Sequence, residues 1–317
     1  MRFSLAHMYY FVAIFPVFSV KAVAVVAALA LTGLNLVGIK QSTTINNILV
    51  IIKIAILCAF IGFGIFQIHP QNFSQFSPNG AFGVLQGAGF IFFAYLGFGR
   101  IATLGEEVKN PERNLPLAVL IALVVSVAIY VLTGLTATGL VDYRILAQSG
   151  SPIAEAAKAT GSFMLVAAVS LGALIATASV LLTNLLGSSR VAFAMARNDQ
   201  FPESVAKVSS RFGTPYVSVL AMGALLTVLA FSLDLRQSAA ITSFAILSVH
   251  LTVNLSAIRL RKKMPNSTKF RVPFYPLIPS LGLLSCIILM FSLPQESWIV
   301  AAIAVVIRAA LYQLRKK

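Results

Sequence analysis

Charge is what this 317-residue chain has least of. Only 10% of its residues are Asp, Glu, Lys or Arg, and only nine are acidic; a soluble globular domain is nearer a quarter charged. Cysteine is nearly absent too. Cys58 and Cys286 both sit inside apolar runs, where they read as small buried hydrophobes, so no disulfide framework is implied, although spacing leaves one bridge between them open. No metal-ligand cluster, nucleophile triad, phosphate-cradling loop or nucleic-acid patch stands out, which argues against an enzyme and calls for no cofactor. Leu5–Pro16 lacks the apolar core and small-residue cleavage site of a secretory signal.

What is present is apolar surface. Hydrophobic residues make up 58% of the chain and mean hydropathy is +0.91, the composition of a polytopic membrane protein. A net charge of +15 would suggest nucleic acid in a soluble protein. Here the basic residues lie in short loops between apolar runs, so membrane topology accounts for them and no nucleic acid is expected. Runs long enough to cross a bilayer are expected at about 20–38, 44–66, 82–104, 117–141, 162–186, 215–233, 237–258, 275–293 and 297–314, with a partial run at Leu5–Pro16. Alternate loops carry most of the Lys and Arg, among them Arg190, Arg197, Lys207 and Arg211, then the basic stretch from Arg259 to Arg271 and the final Arg315, Lys316 and Lys317. The opposite loops carry only Lys21, Arg144, Lys158 and Arg236. The positive-inside rule puts the rich side, and the C-terminus, in the cytoplasm of a multi-pass cell-membrane protein.

One run is interrupted. From Gly87 to Pro116 an apolar stretch is broken by Gly97 and Gly99 and passes into a charged loop. Glycine tolerates the dihedrals of a broken helix, and backbone freed from a helix in lipid survives only against protein or a watery cavity. The carbonyls near Phe93 and Ala94 can accept from an ammonium group, while N–H groups after Gly97 suit an anion. The alternative is glycine for close helix packing. The residues leave the two open.

The segment FFAYLGFGRIATLGEEVKNPERNLP (92–116) resembles the sixth span and following loop of amino acid–polyamine–organocation permeases. LTGLNLVGIKQSTTINNILVIIKI (31–54) is similar to that family's fourth-to-fifth span junction, GSSRVAFAMARNDQFP (187–202) to the end of its eighth span, and FRVPFYPLIP (270–279) to the entry of its eleventh. Four motifs in family order cover nearly the whole chain. The resemblance implies an all-α polytopic membrane protein with a five-plus-five inverted-repeat transporter fold and two extra C-terminal spans. It also implies an N-terminal truncation, with the first two spans and part of the third absent. On this reading 1–317 is a single transmembrane domain, with 1–66 the remnant of an incomplete first repeat, 82–258 the complete second repeat and 275–314 the additional spans.

The resemblance assigns roles to residues. Lys53 lies about nine residues into its run, roughly 13 Å along a helix, at a depth where a lysine costs about 2.5–3.5 kcal/mol unless it meets a cavity or partner. Removal from water disfavours its charged form, and it matches the fifth-span lysine of proton-coupled members. The alternative is a structural lysine bonded to carbonyls of a neighbouring helix. Phe93 matches the family's gating aromatic, and Phe93, Ala94, Tyr95, Gly97 and Gly99 form the expected substrate-binding break. Many members carry an acid after the Gly-Phe pair; this chain has Gly99 and Arg100, which points to a neutral amino acid rather than a polyamine. Arg100, Glu106 and Glu107 are the candidate intracellular gate, with Arg100 able to pair with Glu107. Ser179 and Thr183, four apart on one helix face, either line the cavity or bond to their own backbone. His250 is a proton relay or a neutral histidine held by a helix.

The expected activity is secondary transport of an amino acid across the cell membrane, coupled to protons as the partner ion, by alternating access around 94–99. The alternatives are an exchanger not coupled to protons and a truncated, non-transporting membrane polypeptide.

Overall fold

The computed structural model describes residues 20–38, 43–98, 108–263, 272 and 274–303. The expected partial run at Leu5–Pro16, residues 264–271 of the basic stretch and the C-terminal residues 304–317 lie outside them. The described residues form helices and connecting loops, with no strand among them, as a bilayer demands of a polytopic chain whose backbone must satisfy itself.

The α-helices, in order, are α1 (Val20–Val37), α2 (Thr43–Gly64), α3 (Gly80–Ile91), α4 (Pro111–Leu140), α5 (Tyr143–Gln148), α6 (Pro152–Ala159), α7 (Phe163–Arg197), α8 (Tyr216–Ser232), α9 (Leu235–Lys263) and α10 (Leu277–Ser292), followed by α11 (Gln295–Ile303). Helices α2, α4, α7 and α9 are long and apolar enough to cross a membrane, and α10 with α11 adds a pair bent by 107°. The others are shorter than the expected runs. α8 has 17 residues, about 26 Å, and α3 stops early for a reason given below. α4 starts at Pro111 and carries Pro116 inside it, earlier than the expected 117. Pro111 falls in the first turn, where a missing N–H costs nothing, and the Asn110 carbonyl accepts from both Arg113 and Asn114 N–H groups. α7 continues through the GSSRVAFAMAR motif without interruption to Arg197.

These residues gather into two compact units, one within 1–74 and 131–235, the other within 75–130 and 236–317. In lipid there is little hydrophobic drive between helices, so close contact depends on small residues. The first unit shows this. Ala24, Ala28 and Ala230 are fully buried where α1 meets α8, and a Cβ added to Gly223 would overlap the side chain of Thr32. Its main core joins Phe60 on α2 to Ala137 and Leu140 at the end of α4, the alanines of α6, and Leu165 and Val169 on α7. In the second unit Ala240, Phe244 and Leu247 of α9 pack with Cys286 and Leu293, and Phe90 and Phe92 join that core. Both cysteines are free. Cys286 is buried as expected, but Cys58 is exposed, since it lies on the outward side of α2 among the exposed Ile51, Ile54 and Phe63.

Candidate functional site

In the first unit, Lys53 is half-buried on α2. Its ammonium donates to the hydroxyl of Ser179 on α7 at 2.8 Å, and that hydroxyl in turn donates to the Ala176 carbonyl at 2.9 Å. The Ser179 oxygen therefore presents lone pairs to the lysine. Nearby α2 and α7 run tightly together, because a Cβ on Gly172 would come 2.6 Å from Ile56. Thr183 is one turn beyond Ser179 and donates to the Ser179 carbonyl at 2.7 Å. The two predicted polar residues thus occupy one face of α7 and also bond to their own backbone. Lys53 finds a hydroxyl on the neighbouring helix where carbonyls had been the alternative expectation.

The second unit holds the interrupted run. α3 contributes 12 residues of α-helix, about 18 Å. The chain then becomes 3₁₀ from Phe92 to Phe98, seven residues and about 14 Å more. Together these lengths match a bilayer's hydrocarbon core of about 30 Å. The α geometry ends at Ile91, three residues before the expected break at Ala94. At that point the Phe92 N–H turns to the Gly89 carbonyl, three residues back, and the Ser243 hydroxyl of α9 enters. It accepts from the Phe93 N–H at 3.3 Å and donates to the Phe90 carbonyl at 3.1 Å. Runs of 3₁₀ longer than three or four residues are uncommon and mark hinges or strain when they occur in mid-helix.

Beside this segment lies a cavity of about 250 Å³ lined by Ala94, Tyr95, Gly97, Ala122, Leu123, Ser126 and Tyr130. Tyr130 reaches across it. Its hydroxyl lies 3.5 Å from the Ala94 carbonyl, and its ring meets Tyr95 edge-on at 5.5 Å. Gly97 has no left-handed backbone, and an added Cβ there would meet nothing within 4 Å. It borders open space. Phe93, half-buried, precedes the cavity lining. Gly99, Arg100, Glu106 and Glu107 lie outside the described residues, while Glu112 and Arg113 belong to the first turn of α4. His250 donates from Nδ1 to the Ile246 carbonyl of its own helix at 2.9 Å, and its ring stands edge-on to Phe92 at 5.7 Å. No cluster of His, Cys, Asp or Glu able to hold a metal occurs among the described residues.

Ser126, Tyr130 and Ser243 were not anticipated. The first two had a signal: they are four apart, hence on one face, in an otherwise apolar run from Leu117 to Leu132. Ser243 had none, being one of several hydroxyls along α9.

The family model described as Amino acid permease matches residues 3–306. The methylthioribose transporter of Bacillus subtilis is 35% identical over 92% of this chain and 63% of its own length. The branched-chain amino acid permease BcaP of the same organism is 32% identical over 88% of this chain and 60% of its own, and BcaP of Lactococcus lactis is 28% identical over 87% and 61%. The chain therefore spans somewhat under two thirds of these relatives, all of which are transporters and none an enzyme. With a family match that runs from before α1 to past α11, and with the membrane helices to go with it, the chain belongs to the amino acid permease family.

Proposed function

We propose that this chain carries the substrate-binding break and the proton-coupling lysine of a secondary amino acid transporter. The observation that carries the reading is the seven-residue 3₁₀ segment Phe92–Phe98 beside a cavity. Backbone that leaves α geometry inside a bilayer needs something polar to face, and discontinuous spans near mid-membrane are where transporters bind their substrates. A free amino acid brings one ammonium and one carboxylate. Carbonyls such as that of Ala94 keep a second lone pair for the first, and the N–H groups after Gly97 are the candidates for the second.

On this reading Phe93, Ala94, Tyr95, Gly97 and Gly99 are substrate-binding residues of the second unit, and Ser179 and Thr183 of α7 are the candidate substrate-binding residues of the first. Arg100, Glu106 and Glu107 form the inner gate of an alternating-access cycle. Residues 82–258 are one complete repeat, 1–66 part of its inverted partner, and 275–314 the extra spans, in a cytoplasmic membrane with the C-terminus inside. Lys53 exchanges the coupling proton, releasing and recovering it as Ser179 holds the nitrogen. The BcaP relatives support a neutral, branched-chain substrate. The methylthioribose transporter favours a second class, a neutral thiosugar with no carboxylate or ammonium.

Uptake of labelled leucine into proteoliposomes containing the protein tests this. It should rise with an inward proton gradient and lose that rise in Lys53→Ala. Uptake indifferent to the gradient and to the substitution removes the proton role. Parallel uptake assays separate the substrates: labelled leucine accumulates and is displaced by excess valine under the amino acid reading, whereas labelled methylthioribose accumulates and labelled leucine does not under the other.

A further inference from the structure

We infer that Ser243 of α9 is a positioning residue for the substrate segment, fixing the point at which α3 leaves α geometry and so the placement of Phe93 and Ala94. The inference rests on the reading of that segment as substrate-binding. Ser243 is completely buried. Its hydroxyl bonds to the Phe93 N–H and the Phe90 carbonyl at 3.3 and 3.1 Å. Those are the two groups, three residues apart, that a 3₁₀ turn brings together. A side chain inserted into a helical ladder is one of the few physical causes of a helix break, and here the insertion and the change from α to 3₁₀ fall within a single turn.

Neighbouring hydroxyls on α9 behave differently. Thr242, Ser248 and Thr252 each donate to the carbonyl four residues back on their own helix. Ser243 instead reaches α3. The same turn is held from two other directions. The Arg236 guanidinium stands 5.4 Å from the centre of the Phe90 ring. On α10, Ser292 shares its one hydroxyl hydrogen between the Leu289 carbonyl of its own helix at 2.8 Å and the Leu85 carbonyl at 3.1 Å, and a Cβ on Gly89 would come 3.0 Å from the Ser292 oxygen. The α-helical half of the span is therefore anchored up to Phe90, and Ser243 is the last anchor before the segment that faces the cavity. Without its hydroxyl the Phe90 carbonyl and the amides beyond it can revert to α pairing. That turns Phe93 and Ala94 out of place.

The test uses four variants in proteoliposomes and in detergent. Ser243→Ala removes both bonds with almost no change in volume, and Ser243→Thr keeps the hydroxyl. Ser243→Cys keeps the size but offers only a weak donor. Ser248→Ala, which loses a hydroxyl bonded within α9, is the control. Ser243→Ala should raise KM for labelled leucine about ten-fold, on the order of what lost buried hydrogen bonds cost, with maximal rate changed less than two-fold. Ser243→Thr should restore KM, Ser243→Cys should fall between, and Ser248→Ala should match the parent. Independently, amide hydrogen exchange of peptides covering 88–98 should be faster in Ser243→Ala than in the parent or Ser243→Thr. Parental KM together with parental exchange in Ser243→Ala overturns the proposal. If the parent protein transports nothing, the transport reading fails, and the exchange comparison alone decides whether Ser243 sets the break.

Discussion

The ammonium of Lys53 lies 2.8 Å from the hydroxyl of Ser179, a residue 126 positions further along the chain. The hydroxyl has one hydrogen, and it goes to the Ala176 carbonyl. Toward Lys53 the serine can therefore only accept. An ammonium and a neutral amine both have N–H to offer, but the bond to the charged form is roughly twice as strong. Ser179 thus holds the Lys53 nitrogen in place against α7. If Lys53 carries the coupling proton as proposed, removing the hydroxyl weakens coupling while leaving the lysine itself present. The expected outcome is that Ser179→Ala reduces the stimulation of uptake by an inward proton gradient about ten-fold, less than Lys53→Ala, which abolishes it. Equal loss in the two variants would mean that the serine acts through folding, which a thermal melt of each protein checks.

Gly89 makes a prediction about stability alone. A Cβ there would come 3.0 Å from the Ser292 oxygen, 3.2 Å from the Leu289 carbonyl and 3.3 Å from a Leu293 methyl. Two of the three are backbone or a hydroxyl already bonded to Leu85 and Leu289, so they cannot move aside freely. Gly89→Ala should cost about 1–3 kcal/mol by overpacking, seen as a lower melting temperature in detergent. A melt unchanged from the parent would show that α3 and α10 separate easily.

Gly97 predicts the reverse. It borders the cavity, has no neighbour within 4 Å of an added Cβ, and its backbone is not left-handed. Gly97→Val should fold with an unaltered melting temperature and fill space that a ligand needs. Uptake and binding of leucine should fall at least ten-fold, on the order of the penalty for forcing extra groups into an occupied site. Parental uptake in a normally folded Gly97→Val protein would move the substrate away from this cavity.

The spans could be read from the sequence because lipid leaves a helix as the only solution for a long apolar run. α2, α4, α7 and α9 duly follow the runs around Lys53, Tyr130, Ser179 and His250. The ends were less legible. Pro116 looked like a boundary but sits inside α4, because Pro111 supplies a favourable helix start five residues earlier. The glycines pointed to an interruption near 94–99, yet α geometry stops at Ile91. No residue of the 92–98 segment announces that point, because Ser243, 150 residues away in sequence from Phe93, holds it. The partnership of Lys53 with Ser179 was hidden in the same way. Each residue stood out as polar in an apolar run, but pairing across separate helices is a property of packing.

Substrate charge supplies the last prediction. Polyamines and dibasic amino acids bring a second cation, which in a low-dielectric site must meet an acidic partner or pay heavily for its lost hydration. Where many members of the family place an acid after Gly-Phe, this chain has Gly99 and Arg100. No carboxylate is offered there to a second ammonium, so discrimination rests on lost attraction. The described lining of the cavity adds no acid either, being alanine, leucine, glycine, serine and tyrosine. Leucine, isoleucine and valine should therefore compete with one another for uptake, while a ten-fold excess of putrescine or lysine leaves labelled leucine uptake unchanged. Strong competition by putrescine in the parent protein would show that an acidic group recognising a cation lies elsewhere in the chain.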